Sequence, residues 1–318
     1  MADRVSRRWV WATALLTGGA FAVAAALAPP ASAPAGRGLA WALFIGSPVH
    51  VAATGWLFTL PGVRRHARQR TVRYGWLPVI LVSGGAATCA AAPPPVFTWL
   101  LLPYFAWQFF HFAKQNIGVV ALAASAEQLP PLRRAERRVL LLTGAAGTGG
   151  LVAHPGLLQL RVDTELGALF GLCAAASGLA IAAGAVLLAR RPCTPGFCLI
   201  YLMALAFFAP VFVFTSPYAA VGGMTIAHGL QYLLLVGLVA SGEANPVMRL
   251  AVLCNVAVAG GLVLSLASHL HGAAPGIRWL YGAYLGVVMS HFVIDAGIWR
   301  RRGASASPLR LPMHREPI

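Results

Sequence analysis

The chain has 318 residues, of which 58% are hydrophobic and only 10% charged, and its formal net charge is +16. Apolar stretches of about 20 residues recur along it, which excludes an ordinary soluble domain. The positive charge does not indicate nucleic acid, because the arginines gather in every second loop between apolar stretches, the pattern that orients membrane helices.

Ten membrane spans are predicted, at about 9–28, 38–60, 75–92, 97–125, 139–153, 165–189, 196–215, 218–240, 246–267 and 277–299. The fold class is therefore all-α, a polytopic integral membrane bundle of about ten transmembrane helices over residues 1–302, with a short basic tail at 303–318. Prolines punctuate the connections at Pro29-Pro30, Pro93-Pro94-Pro95, Pro130-Pro131, Pro192 and Pro195. Residues 4–33 also resemble a secretory signal, with a basic start, an apolar run and Ala31-Ser32-Ala33 at a cleavage-like position. The run is long for a cleaved signal, so a retained first helix is expected.

Arginine placement sets the topology. One side of the predicted bundle collects Arg4, Arg7 and Arg8, the run from Arg64 to Arg73, the run from Arg133 to Arg138, Arg190 and Arg191, Arg249, and the arginines from Arg300 onward. The other side has Arg37, Arg161 and Arg278. This asymmetry puts both termini in the cytoplasm of a bacterial inner-membrane protein. Five scattered cysteines show no disulfide framework. Cys193 and Cys198 flank a short cytoplasmic turn and are read as structural.

Ionisable groups at bilayer depth are costly and default to a functional role. Lys114 is expected to be buried, and Asp295 is expected to be the only buried carboxylate. Four histidines, His50, His111, His228 and His291, lie in four even-numbered spans that run in the same direction. Each is about 11 to 16 residues from its span's start, or about 17 to 24 Å in, so the four share one layer. Polar residues recur around them at helical spacing. Thr54 follows His50 by one turn, after Pro48, which kinks the helix and frees carbonyls. Gln108, His111 and Gln115 share a face, with Lys114 beside them. Gln231 and Tyr232 follow His228, and Asp295 follows His291. Phe109, Phe110 and Phe112 read as packing, and the Gly144–Gly150 cluster reads as close helix contact. His66, His154, His269, His271 and His314 fall in loops or the tail.

Imidazoles without a nearby thiolate suit iron, copper, zinc or nickel. Three or four histidines with an open position fit a non-haem iron site, Fe2+, although another transition metal or one haem between two helices suits the same donors. Tyr232, Asp295, Gln108, Gln231, Gln115, Lys114 and Thr54 are candidates for supporting or catalytic roles, with Asp295 orienting His291. The chain carries no nucleotide or flavin motif, so any electron donor would be an external redox partner.

At these residues the chain resembles the Brp/Blh-type β-carotene 15,15'-dioxygenases. Gly46-Ser47-Pro48-Val49-His50 is similar to that family's early Gly-x-Pro-His element, with one inserted residue. Phe110-His111-Phe112 is similar to its His-Phe element. His228 in Ala227-His228-Gly229-Leu230-Gln231-Tyr232 is similar to the first histidine of its paired-His helix. His291 in Ser290-His291-Phe292-Val293-Ile294-Asp295 resembles its late His-x-x-x-Asp element. Tyr232 stands where the second paired histidine is expected, and Thr54 where an aspartate is expected. The motifs are short and lie scattered between positions 46 and 295. The resemblance implies a multi-span membrane enzyme with a histidine-bound iron, using O2 on a lipid-soluble substrate such as an isoprenoid, a carotenoid-like chain or a fatty acyl group. Membrane lipids are the expected surroundings.

Two other classes account for the same polar layer. A proton-coupled transporter would use Lys114, Asp295 and the histidines as a relay. A non-catalytic membrane subunit would use them only to fasten helices together.

Overall fold

The computed structural model describes residues 2–30, 33–160, 162, 166–299 and 309. Ala31 and Ser32 of the signal-like motif, Arg161, and apart from Leu309 everything from Arg300 through the basic tail lie outside the described residues. Within them all regular structure is helical: α1 (Ala2–Leu27), α2 (Arg37–Phe44), a π-helical turn (Ile45–Val49), α3 (His50–Leu57), α4 (Pro61–Arg68), a second π turn (Val72–Trp76), α5 (Leu77–Ala91), α6 (Pro94–Ala126), α7 (Arg134–Ala153), a 3₁₀ turn (Pro155–Leu158), α8 (Gly167–Ala189), α9 (Pro195–Leu205), α10 (Pro210–Val213), a third π turn (Tyr218–Gly222), α11 (Gly223–Ser241), α12 (Pro246–Ser268), a 3₁₀ turn (His269–Gly272) and α13 (Pro275–Ile298).

Seven helical segments among the described residues are long and apolar enough to cross a membrane: Val5–Leu27, Arg37–Leu57, Val72–Ala91, Gly167–Ala189, Tyr218–Ser241, Pro246–Gly272 and Gly276–Ile298. Many of their large apolar side chains face outward, with Leu179 74% and Leu266 72% exposed, as a lipid-facing surface requires.

Three elements depart from the sequence reading. The seventh predicted span is interrupted: α9 stops at Leu205 and α10 begins at Pro210, whose ring and missing N–H oppose a continuous helix. The connection near 61–74 folds into α4 and a π turn, anchored by buried Val63. The helix of the fifth span begins at Arg134, because the Glu136 carboxylate accepts the Arg133 backbone N–H at 2.6 Å and caps it.

The described residues divide into two compact units, one comprising the chain up to Leu43 with Thr98–Gln231, the other Phe44–Phe97 with the residues from Tyr232 onward. In the first, the Gly144–Gly150 run packs closely. A methyl at Gly144 would meet Ala113, one at Gly147 would meet Phe208, and one at Gly150 would meet Phe212. Its core gathers Phe109, Phe112, Phe207, Phe208, Met224 and Ala227. On α8 the buried positions are Ser177, Ala180, Gly184 and Leu188, a narrow stripe of mostly small residues at helical spacing.

Glu136 is fully buried and pairs with Arg191 at 2.9 Å. The guanidinium also donates to the Pro130 carbonyl at 2.6 Å and lies 4.6 Å over the Phe197 ring. Asp295 is therefore not the only buried carboxylate. Beside this clamp Cys193 and Cys198 form a disulfide, contrary to the expectation of no disulfide framework; a separation of 5 residues across the turn leaves their Cα atoms 6.2 Å apart.

In the second unit, α5 and α13 approach closely at Gly85, Gly282 and Gly286. Gly260 and Gly261 of α12 seat against Ala52 and Val49. Arg278 is buried, donating to the carbonyls of Cys89 and Ala92 at 2.6 Å each, so it caps the end of α5.

Candidate functional site

Each unit holds one pair of the predicted histidines. In the first, His111 on α6 and His228 on α11 are buried with ring centroids 5.0 Å apart and planes at 78°. Phe112 stacks on His228 at 4.0 Å and 22°, so its packing role is to fix that ring. Gln115 Nε2 donates to the His228 carbonyl at 2.9 Å and to Gln231 Oε1 at 3.3 Å. Gln231 Nε2 donates in turn to Thr17 Oγ at 2.9 Å. Gln108 is half-buried one turn before His111.

Lys114 falls elsewhere. It is exposed, with its ammonium 5.9 Å over the ring of Phe110, itself 49% exposed. Residues 110 and 114 are one turn apart and form the outward stripe of α6, so the expectation of a buried lysine does not hold.

In the second unit the π turn Ile45–Val49 wraps Pro48 and delivers His50 as the first residue of α3. The predicted kink takes this widened form, which accommodates the proline without breaking the helix. The Gly46 and Ser47 carbonyls face the His50 ring. His50 and His291 have centroids 5.0 Å apart and planes at 79°. Both are buried, as are Thr54, Tyr232 and Asp295.

A hydrogen-bond chain ties these residues together. Tyr232 OH donates to Asp295 Oδ1 at 3.1 Å. Thr54 Oγ is 2.8 Å from Tyr232 OH and 2.6 Å from His291 Nδ1. Each hydroxyl has one proton. Where Asp295 is ionised and takes the Tyr232 proton, Thr54 donates to Tyr232 and accepts from His291. That puts the imidazole proton on Nδ1 and the lone pair on Nε2. Asp295 Oδ2 lies 3.6 Å from this Nε2. Thr54 Oγ therefore holds the Nδ1 side of His291, and Asp295 Oδ2 stands on the Nε2 side. Sequence spacing put Asp295 beside His291, because residues four apart on a helix are neighbours, while the Thr54 contact crosses between helices.

The donors fit a transition metal. Metal–nitrogen bonds of about 2.1 Å, with about 90–110° between ligands, put two imidazole centroids about 5 Å apart. Both observed pairs have that separation, with steeply inclined rings. The Thr54–His291 bond supplies the orienting partner that a ligating histidine needs.

The sequence reading missed the residues behind the histidines. Thr17 and Asn116 sit at ordinary apolar-helix positions, and only their burial, at 2% and 4% exposure, sets them apart. A polar residue at i+5 from His111 gave no periodic signal. No family model, no curated protein and no solved structure matches this chain. The likeness to the carotene-cleaving family therefore rests on the histidine motifs alone.

Proposed function

We propose that the chain is a membrane-embedded oxygenase in which His50, His111, His228 and His291 hold one transition metal, iron, and act on a lipophilic substrate. The single observation that carries this reading is the buried hydrogen-bond chain Asp295–Tyr232–Thr54, which ends on His291 Nδ1 and holds that ring in place. The ligand-like spacing of both histidine pairs supports it. So does the equal depth of the four residues in the sequence.

When bound, iron supplies redox chemistry on O2. The chain's own residues do the rest. Thr54 holds His291, Phe112 and Gln115 hold His228, and the Gly46 and Ser47 carbonyls face His50. Tyr232, one turn beyond His228 on α11, is a proton donor whose hydroxyl is poised between Thr54 and Asp295. The apolar surroundings exclude water and suit an isoprenoid, carotenoid-like or fatty acyl substrate entering from the bilayer. The electron source is either the substrate or an external partner.

The topology proposed with this function has ten spans, adding α6, α7 and the broken α9–α10 segment to the seven apolar ones, with both termini on the cytoplasmic side of a bacterial inner membrane. The transporter alternative required Lys114 inside the polar layer, and its exposure on α6 counts against that relay.

Replacing each of the four histidines by alanine in turn tests the assignment. Each variant is expected to express and to lose bound metal and activity together. Retention of stoichiometric metal in all four would refute the ligand set.

A further inference from the structure

A small cavity inside the first unit lies among α1, α6, α9 and α11. It leaves about 10 Å³ for the centre of a water-sized sphere, room for a single molecule. Its polar lining is Thr13, Thr17, Asn116 and Gln231, and Met203 and Phe207 contribute apolar wall. All four polar residues are at least nine-tenths buried. Among the described residues the Asn116 side-chain nitrogen has no protein hydrogen-bond partner. Buried amide donors in folded proteins are almost always satisfied, by protein or by ordered water.

The rest of the lining has matching capacity. Thr13 Oγ donates to the Trp9 carbonyl at 2.8 Å, which leaves its lone pairs to accept. Thr17 Oγ donates to the Thr13 carbonyl at 2.7 Å and accepts from Gln231 Nε2 at 2.9 Å. A guest of this size must accept from Asn116 and donate to a threonine oxygen. Water does both, whereas a cation would be repelled by the Asn116 amide protons and an anion would find no positive charge in the lining.

We propose that this cavity is a binding site for one water molecule, accepting from Asn116 Nδ2 and donating to the hydroxyl oxygens of Thr13 and Thr17. The water ties α6 to α1 at the point where Thr17 holds Gln231, and Gln231 accepts from the Gln115 amide that binds the His228 carbonyl. Asn116 and the water are positioning elements behind His228, linked to its carbonyl through Thr17, Gln231 and Gln115. The site stands whether or not the histidines bind metal.

The test is a density map of the full chain in lipid nanodiscs, at a resolution where other ordered waters are visible. One isolated peak within hydrogen-bonding distance of Asn116 Nδ2 and of Thr13 or Thr17 Oγ is expected. In Asn116→Leu the peak should vanish, and in Thr13→Val it should weaken while Asn116 stays in place. Water-edited solid-state NMR on protein labelled with ¹⁵N-asparagine gives an independent reading. The Asn116 side-chain signal should receive magnetisation from water protons, and it is assigned by its loss in Asn116→Gln. A dry cavity, an Asn116 amide turned onto a protein carbonyl, or an Asn116 signal that receives no magnetisation from water overturns the proposal.

Discussion

Thr54 Oγ lies 2.6 Å from His291 Nδ1, and this contact links α3 to α13. Thr54 thereby holds the Nδ1 side of the ring, while Asp295 Oδ2 lies 3.6 Å from Nε2. Thr54→Val removes the hydrogen-bond partner of Nδ1 while keeping the shape of the side chain. Metal affinity is expected to fall about 10- to 100-fold, the usual cost of losing a residue that orients a ligand. Thr54→Ser should restore most of it. Competition titration with a chelator measures both, and equal affinity in all three proteins would remove Thr54 from the site.

The buried Glu136–Arg191 pair fastens the start of α7 to the turn that precedes α9. Glu136→Ala leaves a buried guanidinium without its carboxylate, at a cost of about 3–5 kcal/mol. The double change Glu136→Leu with Arg191→Met should recover most of that loss. Thermal unfolding in detergent reads the order directly: the single variant lowest, the double variant near the parent.

Gly282 and Gly84 provide a matched pair. A side chain at Gly282 would strike the Gly85 backbone and Cys89, while one at Gly84 meets nothing within 4 Å. Gly282→Leu is expected to destabilise by about 1–3 kcal/mol or more through overpacking of α5 on α13. Gly84→Leu should stay within about 0.5 kcal/mol of the parent. Equal melting of the two variants would mean these helices do not pack as described.

His66, in the basic helix α4, is held below its ordinary value of 6.5, first by burial and then by the charges of Arg70 and Arg73. The folded chain thus resists a proton that the unfolded chain accepts. Its contribution to stability is complete above pH 6.5 and declines as pH falls from there toward the lowered folded value. His66→Gln should flatten that part of the stability profile. An unchanged slope between pH 7 and 5 would show that other groups dominate it.

The burial of the four histidines was legible in the sequence because ionisable side chains are conspicuous in apolar segments, and helical spacing grouped Thr54, Gln115, Gln231, Tyr232 and Asp295 around them. Most of the membrane helices were legible for the same reason, from length and hydropathy. Contacts distant in sequence were not. Nothing local pairs Glu136 with Arg191, or sends Arg278 to the carbonyls of Cys89 and Ala92. Lys114 shows the limit of a helical wheel. It stands about 60° to one side of His111 and Gln115 about 40° to the other, and only packing decides which flank is buried. The break before Pro210 was obscured because its neighbours are uniformly apolar, so hydropathy ran on across it.

The central claim is that the four membrane histidines serve a metal. Elemental analysis of the full-length protein, purified in mild detergent without added metal or chelator, tests it most directly when paired with an absorption spectrum. The account predicts about one iron per chain and no haem band. A pure, folded sample with no stoichiometric transition metal, which also fails to take up iron on anaerobic titration, would contradict it.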